Sequence, residues 1–194
     1  MQLIPKSNEI KQRQSMHQIA TQLQAGNDHY TLTETAYGHL VIRTSLKNKS
    51  VNTAVKTITG LNLATKPLSS VSNDKYLICW ISPDEYLLLV PEKTEFEIES
   101  RLRDKIKGHF AIVNITGGQT VLELSGERAE TILKKSSSYD IHQSNFPVGK
   151  VVTTVFAKSQ LILRRASDDS FQLVIRRSFS DYLWQWIVDA GSRE

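Results

Sequence analysis

Apolar positions along this chain follow two periods: short runs suited to strands, and i, i+3, i+4 stripes suited to helices. Two β-patterns cover 29–34 and 39–46. Val51, Ala54, Val55 and Ile58 then recur at i, i+3, i+4 and i+7, a helix that Ser50 can cap and Gly60 stops. The apolar run 76–81 has buried-strand length, Ser82-Pro83-Asp84-Glu85 turns it, and 86–90 returns as a second strand. Thr94-Glu95-Phe96-Glu97 has capping-box spacing, with Thr94 placed to accept from the Glu97 amide. Ile98, Leu102 and Ile106 line one face of the helix that follows. With a strand over 109–115, the order from 39 to 115 is β-α-β-β-α-β.

Gly117-Gly118 then turns the chain into a strand over 119–124. A short helix on Ala129, Ile132 and Leu133 leads through an irregular stretch, 136–149, to strands at 151–157, 161–165 and 171–175. A last helix runs from 178 to 190. This repeated order predicts an α+β fold of two similar ferredoxin-like halves, each a mainly antiparallel sheet covered by helices. The expected division is a polar arm over 1–28, a first half over 29–118 and a second over 119–194. Two glycines are too short for a flexible linker, so the halves should pack as one unit. No helix follows every strand and no Gly-rich phosphate fingerprint occurs, which argues against a doubly wound nucleotide-binding sheet.

Composition narrows the function classes. The 194 residues carry a net charge of +4, with the charges interspersed rather than blocked, which suits an acidic partner without demanding nucleic acid. Cys79 is the single cysteine, so an intramolecular disulfide and a cysteine-built zinc site are excluded. It lies inside an apolar run and should be a small buried thiol. No stretch has the apolar length of a signal-peptide core or a membrane span, so a cytoplasmic setting is expected.

Candidate chemistry is sparse. His17, His29, His39, His109 and His142 never fall three or four residues apart and read as solvated or capping side chains. Asp84-Glu85 and Asp168-Asp169 sit in turn sequences, where water is not restricted and carboxylate pKa values are not driven apart. Arg164-Arg165 and Arg176-Arg177 fall at opposite ends of one expected hairpin, roughly 17 Å apart at ~3.3 Å per residue, so they make no single phosphate patch. They read as solvated or partner-facing. In the last helix Phe179, Tyr182, Leu183, Trp186 and Ile187 form a core-facing stripe, whereas Trp184 points roughly 130° away with Val188 above it. Trp184 and Val188, with Arg176 and Arg177, are therefore the candidate partner interface.

Three stretches resemble the gamma subunit family of heterotetrameric sarcosine oxidase. They are Trp80-Ile81-Ser82-Pro83-Asp84-Glu85-Tyr86-Leu87-Leu88, the strand-turn-strand 113–126 around Gly117-Gly118, and Arg176-Arg177-Ser178-Phe179-Ser180-Asp181-Tyr182-Leu183-Trp184-Gln185-Trp186. Ser137-Ser138, Asn114, Tyr86 and Val148 depart from the family pattern, which has Cys-Pro, Asp, Trp and Pro there. The same element order is similar to the aminomethyltransferase folate-binding fold, but Ser159-Gln160-Leu161-Ile162 stands where that enzyme's Asp-Asp pair is expected.

The resemblance implies a non-catalytic chain with alpha, beta and delta partner subunits, without nucleic-acid or membrane partners. It assigns no catalytic, cofactor-binding or metal residue here. FAD, FMN, NAD, zinc and tetrahydrofolate would belong to the partners. Together they would demethylate sarcosine oxidatively to glycine, passing the one-carbon unit to tetrahydrofolate and electrons to oxygen. The alternatives are a stand-alone folate-binding aminomethyltransferase-like protein and an RNA-binding α+β module with steeply salt-dependent binding.

Overall fold

The computed structural model describes residues 24–45 and 47–192. Most of the polar arm, and Leu46 at the end of the second β-pattern, lie outside the described residues. The chain folds as β1 (Gln24–Asn27), β2 (Tyr30–Thr35), β3 (Tyr37–Thr44), α1 (Lys49–Thr59), β4 (Ser70–Ser72), β5 (Leu77–Ser82) and β6 (Glu85–Pro91). It continues through α2 (Glu95–Lys105), β7 (Phe110–Asn114), β8 (Gln119–Ser125), α3 (Ala129–Lys134), β9 (Val151–Phe156), β10 (Ser159–Arg165), β11 (Ser170–Arg176) and α4 (Ser180–Ser192). The short strands β1 and β4 have no periodic apolar signal.

Two antiparallel sheets result, in the orders β4-β5-β6-β3-β7 and β1-β2-β8-β11-β10-β9. They match strand for strand: β4 with β9, β5 with β10, β6 with β11, β3 with β8, and β7 with β2. The last pair crosses the expected division of the chain. β7 follows its helix, whereas no strand follows α4 among the described residues, and β2 fills that place by pairing with β8. Residues 24–35 thus belong to the sheet of the later residues.

Alternation along the strands builds three apolar layers. Leu40, Ile42, Ile78, Tyr86, Leu88 and Val90 face α1 and α2, joined by Val51, Val55, Ile98 and Leu102. Leu122, Leu124, Leu161, Leu163, Phe171 and Leu173 face α3 and α4. Between the sheets lie Leu77, Cys79, Leu87, Leu89, Val121, Val151 and Val174. The order is helices, sheet, sheet, helices. Both faces of β6 are buried, which explains its unbroken apolar run.

Local signals act partly as expected. Gly60 ends α1 in the left-handed conformation at φ 77°. The cap of α1 is Asn48 rather than Ser50: its Oδ1 accepts from the Ser50 amide at 3.2 Å, and Ser50 already lies within the helix. Thr94 precedes α2, but no capping box forms, because its hydroxyl donates to the Pro91 carbonyl at 2.7 Å.

His39 departs from the solvated role expected of it. It shares the inter-sheet face of Tyr37 and Val41 on β3 and is fully buried. Its Nδ1 meets the Tyr37 carbonyl at 2.9 Å, whereas Nε2 is buried without a partner. Burial pushes the imidazole down to about 4, and the Tyr37 hydrogen bond only partly opposes this. An unfolded histidine titrates near 6.5, so the unfolded chain binds the proton more readily as pH falls. The native state should therefore be most stable above pH ~6.5 and lose about 2 kcal/mol by pH 5 from this residue. Denaturant melts at pH 7 and pH 5 should show that loss in the native chain and a smaller one in His39→Gln.

Candidate functional site

Two polar constellations tie the sheets and loops together, and both centre on arginines expected to be solvated or partner-facing but buried within the fold. Arg164, on β10, points between the sheets and is only 9% exposed. Its Nε donates to Ser70 Oγ at 2.8 Å and its Nη2 to Ser72 Oγ at 2.9 Å, both on β4 of the opposite sheet. Its Nη1 donates to Gln172 Oε1 at 2.7 Å, and Gln172 Nε2 donates to Glu123 Oε1 at 2.9 Å. Tyr37 Oη, from the other sheet, also donates to Glu123 at 3.3 Å. Burial and the Glu123 carboxylate push the Tyr37 phenol up to about 12. The donors of Arg164 are met by three neutral side chains that together span the inter-sheet layer. Cys79 lies in the same layer, fully buried as expected, with its thiol pushed up to about 12 by burial, so it is inert as a nucleophile.

Arg165 points to the helix side and is 1% exposed. Nη2 donates to Glu130 Oε2 at 2.6 Å and to the Ile141 carbonyl at 2.7 Å, while Nη1 donates to the Asp168 carbonyl at 2.7 Å. Its guanidinium lies 4.6 Å from the centre of the Phe171 ring. Burial tends to raise the Glu130 carboxyl, but hydrogen bonds from Arg165 and Lys134 hold it below the ordinary range. One side chain thus fastens α3, the irregular stretch 136–149 and the β10–β11 turn to the sheet. Truncation would leave buried acceptors unpaired, so Arg165→Ala should cost about 3–5 kcal/mol in a denaturant melt.

The carboxylate pairs are turns, as their composition indicates. Asp84 Oδ1 accepts from Ser82 Oγ at 2.8 Å, and Glu85 pairs with Arg43 at 2.7 Å. Asp168 and Asp169 accept from Gln143 and Ser167 at 2.9 and 2.8 Å. Among the described residues no three histidine, cysteine, aspartate or glutamate side chains converge as a metal site. A cleft of about 600 Å³ opens between Arg43, Lys47, Asp84 and His109, none of which sequence pattern singled out as a site.

The last helix is rotated relative to expectation. A 3₁₀ turn over Arg177–Phe179 precedes α4, and the buried residues are Ser180, Leu183, Ile187, Ala190 and Gly191. Small residues set this face: a Cβ at Gly191 would meet Tyr30 Cζ at 2.4 Å, so glycine lets the helix close onto β2. At ~100° per residue, Trp184 lies about 70° from the centre of the buried face and Trp186 about 90° away on the other flank. Trp184 and Val188 are half-buried against the core. Phe179 and Trp186 are instead 38% and 40% exposed. Trp186 lies 5.8 Å from the Tyr182 ring and donates from Nε1 to Ser136 Oγ at 2.6 Å. Arg176 and Arg177 are exposed, Arg176 ending β11 and Arg177 opening the 3₁₀ turn. Trp186 therefore meets solvent where burial was expected, and Trp184 packs partly against the core. Leu183→Ala should cost about 2–5 kcal/mol, while Trp186→Ala should cost no more than about 1 kcal/mol in the isolated chain. Urea midpoints of both variants check this.

Two helix-covered antiparallel sheets packed face to face define an aminomethyltransferase-like fold. The chain superposes on the glycine cleavage system aminomethyltransferase T from Bartonella henselae with a TM-score of 0.62 at 10% identity, over 82% of this chain and 45% of that one. That likeness concerns fold alone. The profile of the sarcosine oxidase gamma subunit family matches residues 43–193, so the chain belongs to that family. It is 33% identical over 117 residues to the sarcosine oxidase subunit gamma of Corynebacterium sp. (strain P-1), covering 59% of this chain and 56% of that relative. The match thus spans about half of that relative's length. A chain of heterotetrameric sarcosine oxidase from Corynebacterium sp. U-96, solved in complex with pyrrole 2-carboxylate, superposes with a TM-score of 0.77 at 25% identity. That superposition covers 88% of this chain and 89% of that one.

Proposed function

We propose that this chain is the gamma subunit of a heterotetrameric sarcosine oxidase and does no chemistry alone. The observation that carries this is near-complete mutual coverage with a chain of such an oxidase, 88% and 89%, together with the family match over 43–193. The buried charged groups at Arg164 and Arg165 support a structural role, because the Nε, Nη1 and Nη2 of Arg164 and both Nη groups of Arg165 donate to sheets, turns and helices of the chain itself. Alpha, beta and delta subunits would be its partners, with FAD, FMN, NAD, zinc and tetrahydrofolate held in them. The complex would convert sarcosine to glycine and transfer the one-carbon unit to tetrahydrofolate. A cytoplasmic setting accords with this chemistry; no helix among the described residues is long and apolar enough to cross a membrane.

The partner interface proposed from sequence shifts with the helix. Arg176 and Arg177 keep their place in it, and Phe179 and Trp186 supply the exposed aromatic surface that Trp184 and Val188 do not. Aromatic and arginine side chains commonly anchor interfaces.

Co-expression with the candidate alpha, beta and delta subunits tests the assignment. The chain should co-purify at fixed stoichiometry, and Trp186→Ala should weaken assembly about tenfold or more without unfolding the free chain. An oxidase that assembles and consumes oxygen with sarcosine equally well without this chain would refute the assignment. The isolated chain should show no tight binding of tetrahydrofolate; saturable micromolar binding would favour the stand-alone folate protein.

A further inference from the structure

The edge strand β9 differs from the opposite edge of the fold. On β7 the Ile112 carbonyl is occupied by Arg103 Nη2 at 2.5 Å, a side chain blocking the edge. On β9 the two ends are closed by other segments of the chain. The Val151 amide donates to the Leu68 carbonyl at 2.9 Å and the Ala157 amide to the Ser136 carbonyl at 3.0 Å, both on the side away from β10. Backbone direction alternates along a strand, so the Thr153 and Val155 amides point the same outward way. Among the described residues no hydrogen bond engages them. Both residues are exposed, Val155 by 47%.

Apolar surface gathers around this gap. Leu68, at 41% exposure, and Val148, at 52%, flank its start where loops from the two halves pair through Ser69 and Lys150. Trp186 flanks its other end through its hydrogen bond to Ser136. Leu68 also holds a left-handed backbone, φ 57°, which is costly for a leucine and persists where surrounding structure imposes it. Donors facing outward between two apolar shoulders match one kind of ligand, an extended main chain with apolar side chains.

We propose that β9 is the strand on which a partner subunit docks, through an extended segment whose carbonyls accept from the Thr153 and Val155 amides. Its apolar side chains pack against Val155, Leu68, Val148 and Trp186. This rests on the assignment of the chain as an oxidase subunit. The occupant belongs to another subunit rather than to a second copy of this chain, because closed loops at both ends of β9 limit the open edge to about three residues. Two copies meeting edge to edge there would share too little main chain for a stable dimer.

Proline tests this directly. Thr153→Pro deletes an outward donor and leaves the β9–β10 ladder, and proline is tolerated on edge strands with that orientation. Val155→Lys tests the same edge without altering the backbone. Each purified variant should melt as the native chain does, yet co-purify with the oxidase subunits at least tenfold less. In hydrogen exchange, the Thr153 and Val155 amides should exchange rapidly in the free chain and slowly in the complex. Native assembly with equal assembly of both variants would overturn the docking strand while sparing the subunit assignment. Failure of the native chain to assemble would remove both. A free-chain dimer dissolved by Thr153→Pro, or amides already protected in the free monomer, would give the edge another occupant and overturn the proposal.

Discussion

Face-to-face packing of the two sheets is the interaction on which the rest of the structure depends. Each sheet is covered by helices on one side, so the inter-sheet layer must be filled from both. Leu77, Cys79, Leu87 and Leu89 from one sheet meet Val121, Val151 and Val174 from the other. A layer this apolar needs something to fix its register, and the Arg164 network does so. A buried guanidinium is costly unless its donors are met; Gln172 meets one from the neighbouring strand β11, whereas Ser70 and Ser72 meet theirs only when β4 and β10 face each other.

The same constraint governs β2 and α4. Sheet completion requires a strand beside β8, and β2 supplies it from residues 30–35, so the two halves are interlocked rather than strung in series. The helix α4 then closes over β2, with Gly191 against Tyr30. Because that contact is made by the smallest side chain, the large aromatic residues are displaced to the flanks of the helix. Phe179 and Trp186 emerge on the surface as a consequence of core packing, which joins the stability of the fold to the surface it offers a partner.

Much of this was legible from periodicity. Strands β2, β3 and β5 through β11 and the four helices among the described residues have clear apolar patterns, and the repeated order implied two similar antiparallel halves. The stretch from Arg176 to Trp186, with the turn at Gly117-Gly118, resembles the family to which the chain belongs. The site was less legible. Apolar stripes report where large side chains recur, and the seat of α4 is chosen by Ser180, Ala190 and Gly191, whose small size carries little hydrophobic signal.

Sequence by itself determined most local elements and their order, because hydrophobic period and turn chemistry act over a few residues, while the family was carried by the resemblance of three particular stretches. Tertiary structure alone decided which half owns β2, where Arg164, Arg165 and His39 are buried, and which tryptophan meets solvent. Those outcomes depend on partners far away along the chain: Ser70 for Arg164, Glu130 for Arg165, Tyr30 for the last helix. No local pattern encodes such a pairing; it exists only once two sheets close upon each other.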